Sequence, residues 1–155
     1  MSDSIELKTI AYRGGVVTFR VPADWIEEYE ESGGGAFYAD ADDSPTLRLN
    51  IIDMESPRPV DENTPIEILG IRATETGGEV IRLDAGNAVI AYQVGGDDES
   101  AVFYYWELAN AVLPQHATVA VFSLEISHSK KSQPEIAELL KLVDCEIRAC
   151  EFGHL

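Results

Sequence analysis

From residue 88 to residue 126 the chain carries three runs dominated by β-branched and aromatic side chains: residues 88–94, 102–108 and 118–126. Turn-forming residues 95–100 separate the first two, and a connection through Asn110, Pro114 and His116 separates the last two. The pattern predicts a three-stranded antiparallel meander. With Val94 set opposite Val102, Tyr92 faces Tyr104, Ile90 faces Trp106 and Ala88 faces Leu108. An in-phase third strand adds Ala120, Phe122, Leu124 and Ile126 to the same apolar face. A slip of one residue would exchange the faces, so this register is the expected one. The second face then holds Val89, Ala91, Gln93, Phe103, Tyr105, Glu107, Val119, Val121, Ser123 and Glu125, apolar with acidic spots.

The flanking sequence extends the sheet. Residues 5–12 and 16–21 surround Gly14-Gly15, which suits a two-residue hairpin turn, with Val17, Phe19 and Val21 on one side. Pro22 ends that strand and Trp25 follows as a core plug. Residues 27–35, acidic and then glycine-rich, read as a solvated loop. A second hairpin, residues 36–39 and 46–53, points Leu47, Leu49 and Ile51 to the core and leaves Arg48, Asn50 and Ile52 on the other face. Thr64-Pro65-Ile66-Glu67 reads as a capping box opening a helix with Ile66, Leu69 and Ala73 on one side, stopped by Gly77-Gly78. Residues 79–83 form a further strand. Ser132-Gln133-Pro134-Glu135 reads as a second capping box, before a helical stripe of Ile136, Leu139, Leu140 and Val143 that ends near Val143. The expected fold class is α+β: one domain over residues 1–155, frayed at 1–4 and 149–155. Its antiparallel sheet has about six to eight strands and packs with two main helices.

Composition changes this picture in one respect. Acidic residues number 28 against 11 basic ones, a formal net charge of −17 in 155 residues. Such a surface disfavours nucleic acid and anionic membranes, while it admits a basic partner or simply maintains solubility. The first eight residues include acids where a signal peptide needs basic and apolar regions, and no run reaches the length of a membrane span. A cytoplasmic location is therefore expected. Cys145 and Cys150, the two cysteines, are too far apart in helix or strand to pair, so reduced thiols are expected.

The order of these elements, with Phe19-Arg20-Val21-Pro22-Ala23-Asp24-Trp25 closing an early strand, resembles the PsbP-like group. That group includes the Mog-type Ran-binding proteins, the DcrB-like bacterial proteins and the Eag-type chaperones of type VI secretion. The strand pair spanning residues 36–51, the mid-chain helix, the meander and the final amphipathic helix also match. The resemblance implies a PsbP-like α/β/α sandwich used for binding rather than catalysis. The chain departs from the lumenal and periplasmic members in showing no lipoprotein or transit signal, and no functional residue of the group can be matched to it.

Candidate chemistry is sparse. His116, His128 and His154 belong to no nucleophile elbow, metal-spaced helix or phosphate loop. The acidic turns at residues 40–43 and 97–99 read as hairpin tips. Cys145, Cys150 and His154 fall one ligand short of a structural zinc site. No catalytic residue, metal or cofactor is expected. Two carboxylates on the second face, Glu107 and Glu125, could serve acid–base chemistry in a pocket, with Arg20 or Arg48 beside them. The favoured reading is a non-catalytic binding module, a chaperone or adaptor associated with a secretion system or effector. It uses an uncovered second face through Phe103, Tyr105, Glu107, Glu125 and Arg48. A protein partner is expected, and a homodimer through the same face stays open.

Overall fold

The structure is a computed structural model that describes residues 6–31, 33–41, 44–83, 87–95, 101–112, 114–130 and 132–153. Expectations for residues 1–4, 42–43, 84–86, 96–100 and His154 lie outside the described residues. The chain runs β1 (Leu7–Tyr12), β2 (Val17–Pro22), β3 (Ile26–Tyr29), β4 (Gly35–Tyr38), β5 (Thr46–Glu55), α1 (Thr64–Thr76), β6 (Ile81–Arg82), β7 (Ala88–Val94), β8 (Ala101–Val112), β9 (His116–Ser127), α2 (Pro134–Arg148) and β10 (Glu151–Phe152). Seven strands form the principal antiparallel sheet in the order β3-β4-β5-β9-β8-β7-β6, and β1-β2-β10 form a small second sheet. The class is α+β, as the hydrophobic pattern predicts. The long meander is its centre.

One face of the principal sheet packs against α2 and the small sheet. Leu47 and Leu49 of β5, Trp106 and Leu108 of β8, and Phe122, Leu124 and Ile126 of β9 are buried there with Val17, Phe19 and Val21 of β2. Phe19 sets its edge against the rings of Phe37 and Phe122, at 5.3 Å and 5.1 Å between centroids, a geometry that the ring quadrupoles favour. The helix is tied down by polar contacts at its buried side. Trp106 Nε1 donates to Asp144 Oδ1 at 2.9 Å, and Arg20 grips Glu146 through Nε and Nη2 at 2.7 and 2.9 Å. Arg20 therefore belongs to this layer rather than to the second face expected for it. Its partner carboxylate holds the Arg20 guanidinium above its ordinary pKa.

The register within the meander corrects the expected one. Trp106 does pair with Phe122 and Tyr104 with Leu124, so β8 and β9 have the predicted phase. Strand β7 is shifted by one residue: Val94 pairs with Phe103, Tyr92 with Tyr105, Ile90 with Glu107 and Ala88 with Ala109. Val89 and Ala91 thus join Leu108 and Trp106 on the core face, while Tyr92 moves to the second face and is only half-buried. The reason is visible in the strand itself. Its buried residues Ala88, Val89 and Ile90 are apolar on both sides, so hydrophobicity does not fix its phase.

Other differences are local. Residues 27–29, expected in a loop, belong to edge strand β3, whose carboxylates stay at the surface: Glu27 takes Lys8 Nζ at 2.9 Å and Glu28 accepts the Tyr38 hydroxyl. The turn after β1 has four residues, Arg13 to Val16, with positive φ at Arg13, Gly14 and Gly15. Neither capping box forms. Helix α1 begins at Thr64, whose hydroxyl turns back to accept the Asp61 N–H at 2.9 Å, and Asn63 is its N-cap. In α2, Pro134 occupies the first turn and Gln133 the N-cap, which leaves Ser132 one position too far out. Helix α2 continues beyond Val143 because Ile147 extends the buried stripe. The tail is not frayed throughout: Glu151 and Phe152 pair with Thr18 and Val17. Gly153 N donates to Val16 O at 3.0 Å there, and a Cβ on Gly153 would stand 2.0 Å from Gly15 O, so only glycine fits.

Trp106 joins the apolar core to the Asp144 contact of α2. Trp106→Ala should lower unfolding free energy by about 3–5 kcal/mol in a denaturant titration. A loss under about 1 kcal/mol would show that α2 and the sheet are not coupled through this side chain.

Candidate functional site

Among the described residues, the second face of the principal sheet meets one helix, α1. Leu69 of α1 is fully buried against Ala88, Ile90, Ala109 and Val119, with Ile66, Ala73 and Tyr92 beside them. This covers one half of the face, and the other half is open. Beneath the helix lies Glu107, 3% exposed. Arg72 reaches down from α1 and donates Nε to Glu107 Oε1 at 3.0 Å and Nη2 to Oε2 at 2.9 Å. The Tyr92 hydroxyl also donates to Oε2. Burial alone would raise the Glu107 pKa, but these donors outweigh it and hold the carboxyl below its ordinary value. Burial and the neighbouring carboxylate push Tyr92 up to about 12. The cluster is a neutralised anchor for the helix.

The open half begins where α1 stops covering β7 and β8. Tyr92 and Tyr105 stack with centroids 5.1 Å apart and planes 13° from parallel, and Phe103 continues the stack at 6.2 Å from Tyr105. These three rings come from facing strands in the observed register, with Val94 opposite Phe103 and 49% exposed. Across β9, Ser123 leads to Arg48 and Glu125, joined by Nη1 to Oε1 at 2.7 Å. Both side chains are partly solvated, so this pair fixes geometry more than it adds stability. Further along β5, Ile52 and Met54 stand 46% and 39% exposed on the same face.

Of the five residues expected at a binding face, the structure groups Phe103, Tyr105, Glu125 and Arg48 on the open half. It separates Glu107, which α1 seals. Glu125 pairs with Phe103, four positions along β8 from Glu107, or about 13 Å at strand spacing. The two carboxylates are thus not an acid–base pair; each is held by its own arginine. Sequence reasoning missed Tyr92 and Val94 because the one-residue shift of β7 brings them to this face. Ile52 lies on the second face, as its alternation with Ile51 predicts, though it was not counted in the binding set, and Met54 was not foreseen there.

The remaining candidates stay apart. His116 is exposed at the start of β9, and His128 is half-buried after its end. Cys145 is exposed and Cys150 buried, both free, and burial pushes the Cys150 thiol up to about 12. Among the described residues no three His, Cys, Asp or Glu side chains converge to hold a metal ion. No helix among them is long and apolar enough to cross a membrane.

No protein-family model matches the chain, and no curated protein matches it. Solved structures do. LpqN of Mycobacterium tuberculosis, involved in cell envelope biogenesis, superposes with a TM-score of 0.61 at 13% identity, over 98% of this chain and 93% of that one. The Saccharomyces cerevisiae Ran-binding protein Mog1p gives 0.55 at 11% identity, over 96% of each chain. A Bacteroides thetaiotaomicron protein gives 0.57 at 14% identity over 95% of this chain, which spans 48% of that protein's length. These similarities show the fold.

Because the folded pKa of Glu107 lies below its unfolded value, its contribution to stability is present above the unfolded carboxyl pKa. It is lost as pH falls through the folded value. Glu107→Gln should therefore flatten this part of the acid limb and cost about 1–3 kcal/mol at neutral pH. An unchanged acid limb in urea titrations across pH would contradict the anchor.

Proposed function

We propose that this protein is a non-catalytic binding module that engages a protein partner through the open half of the second sheet face. The observation that carries the reading is the stack of Tyr92, Tyr105 and Phe103, bordered by the Arg48–Glu125 pair and by exposed Val94. Aromatic rings held rigid by strand pairing lose little freedom on binding, and an arginine beside them gives directional contacts. The structural likeness to Mog1p, a Ran-binding protein, supports a binding use of this fold. The specific form of the proposal is a cytoplasmic chaperone or adaptor serving a secretion system or effector, as the family resemblance implies.

An enzyme or ligand pocket built on Glu107 and Glu125 loses its support from the geometry, since Glu107 is buried, depressed in pKa and bound to Arg72. A second copy of the chain on the same face is the competing occupant. It predicts a concentration-dependent dimer in sedimentation, whereas the preferred reading predicts a different protein.

Affinity capture from native lysate, followed by titration of the identified partner, tests the proposal. Tyr105→Ala should weaken that partner about tenfold or more, while the melting temperature moves by only a few degrees. A collapse in stability would make Tyr105 part of a second core and remove the site. Unaltered affinity with a stable fold would place the partner elsewhere.

A further inference from the structure

We propose that the free outer edge of β5, from Ile51 to Glu55, binds an extended segment of a basic protein partner as an added strand of the principal sheet. Strand β5 pairs with β9 along the whole of Thr46 to Glu55, but β4 pairs only with Thr46 to Leu49. Gly34 does not prolong β4 along this edge. Its N–H donates to the Tyr12 hydroxyl at 2.7 Å, and its carbonyl accepts the Glu30 N–H at 3.1 Å. The next residue, Gly35, therefore turns its own N–H and C=O toward Leu49. By the two-residue period of a strand, Ile51, Asp53 and Glu55 direct their N–H and C=O groups off the same edge. Ser56 fixes the phase from the other end: its N–H points the opposite way, to Gln115 O at 2.7 Å. Among the described residues nothing pairs with these outward groups.

The side chains along the edge say what fits it. Ile52 and Met54, 46% and 39% exposed, offer apolar surface on one face, and Asp53 and Glu55 stand exposed on the other. Asp53 meets only the Thr118 hydroxyl, at 3.4 Å, and neither carboxylate has a cation beside it among the described residues. Charge on an edge strand guards against self-association, and here it also selects the occupant. Antiparallel pairing of two copies centred on Asp53 sets Asp53 against its own equivalent, and centring on Met54 sets it against Glu55. Centring on Ile52 needs Leu49, which β4 already holds. The net charge of −17 adds to the repulsion between copies. A strand alternating basic and apolar residues fits instead, with cations opposite Asp53 and Glu55 and apolar side chains opposite Ile52 and Met54. Main-chain bonds supply its affinity, and the alternation supplies specificity. This edge lies beyond β9 from the rings on β7 and β8, so it is a second surface, separate from the aromatic strip.

The probe is a capped peptide of about seven residues alternating valine and lysine, titrated into the isotopically labelled full chain at about 0.15 M salt to screen general attraction. Binding should saturate and slow amide exchange at Ile51, Asp53 and Glu55, while Ile52 and Met54, whose amides face β9, change little. Asp53→Lys should weaken the peptide about tenfold, whereas Glu138→Lys, an exposed control on α2, should change its affinity by less than about twofold. The same peptide methylated on its lysine backbone nitrogens, which face the edge, should not bind. Tyr105→Ala should leave the peptide unaffected, so this test is independent of the aromatic strip. Absence of saturable binding, equal binding of the methylated peptide, or an Asp53→Lys effect no larger than that of Glu138→Lys would each overturn the proposal. Slowed exchange at the same amides on raising protein concentration without peptide would give the edge to a second copy and overturn it too.

Discussion

A carboxylate beneath a helix is costly unless donors surround it, and Glu107 is surrounded by the Arg72 guanidinium and the Tyr92 hydroxyl. The contact fixes more than one charge. Arg72 projects from the side of α1 that also carries Leu69, so satisfying Glu107 sets where the helix lies across β7 and β8. The position of the helix in turn divides the second face into a sealed half and an open one. Tyr92 takes part in both: its hydroxyl completes the buried cluster, and its ring begins the half-buried stack. A structural charge and a candidate binding surface therefore share one side chain.

The other face is closed by different means. Phe19 inserts edge-on between Phe37 and Phe122, and α2 is held by the Trp106–Asp144 and Arg20–Glu146 contacts. Each layer is thus attached by an apolar contact plus a charged or polar tie whose partners are distant in sequence. The two helices do different jobs. Helix α2 completes the main core, whereas α1 leaves sheet uncovered, which is why the aromatic stack and the exposed Ile52 and Met54 occur on its side.

Much of this fold was legible in the sequence. Alternation in residues 46–53 and 118–126 gave β5 and β9 with their correct core sides, and the helical stripe from Ile136 located α2. The phase of β7 was not legible, because Ala88, Val89 and Ile90 are apolar on either side and only a tertiary contact, Tyr92 with Glu107, distinguishes the registers. Strand β3 was hidden by its glutamates, which an edge strand tolerates at the surface. The candidate site was half legible: Phe103, Tyr105, Glu125 and Arg48 share the open face, while Glu107 is removed by an arginine 35 residues away that no local pattern links to it. Helix caps failed for a smaller reason, a one-residue displacement at each proline-led start.

On the proposed reading, the surface presented to a partner is a partly aromatic strip beside a helix that is itself anchored by a buried ion pair. Hydroxyl-radical footprinting of the purified complex with its captured partner tests this most directly, because it reads side-chain exposure residue by residue. Binding should protect Phe103, Tyr105 and Val94 together, and leave the exposed Ile71 on the far side of α1 unchanged. Protection confined to α2 or the small sheet, with the aromatic strip as reactive as in the free protein, would contradict the account.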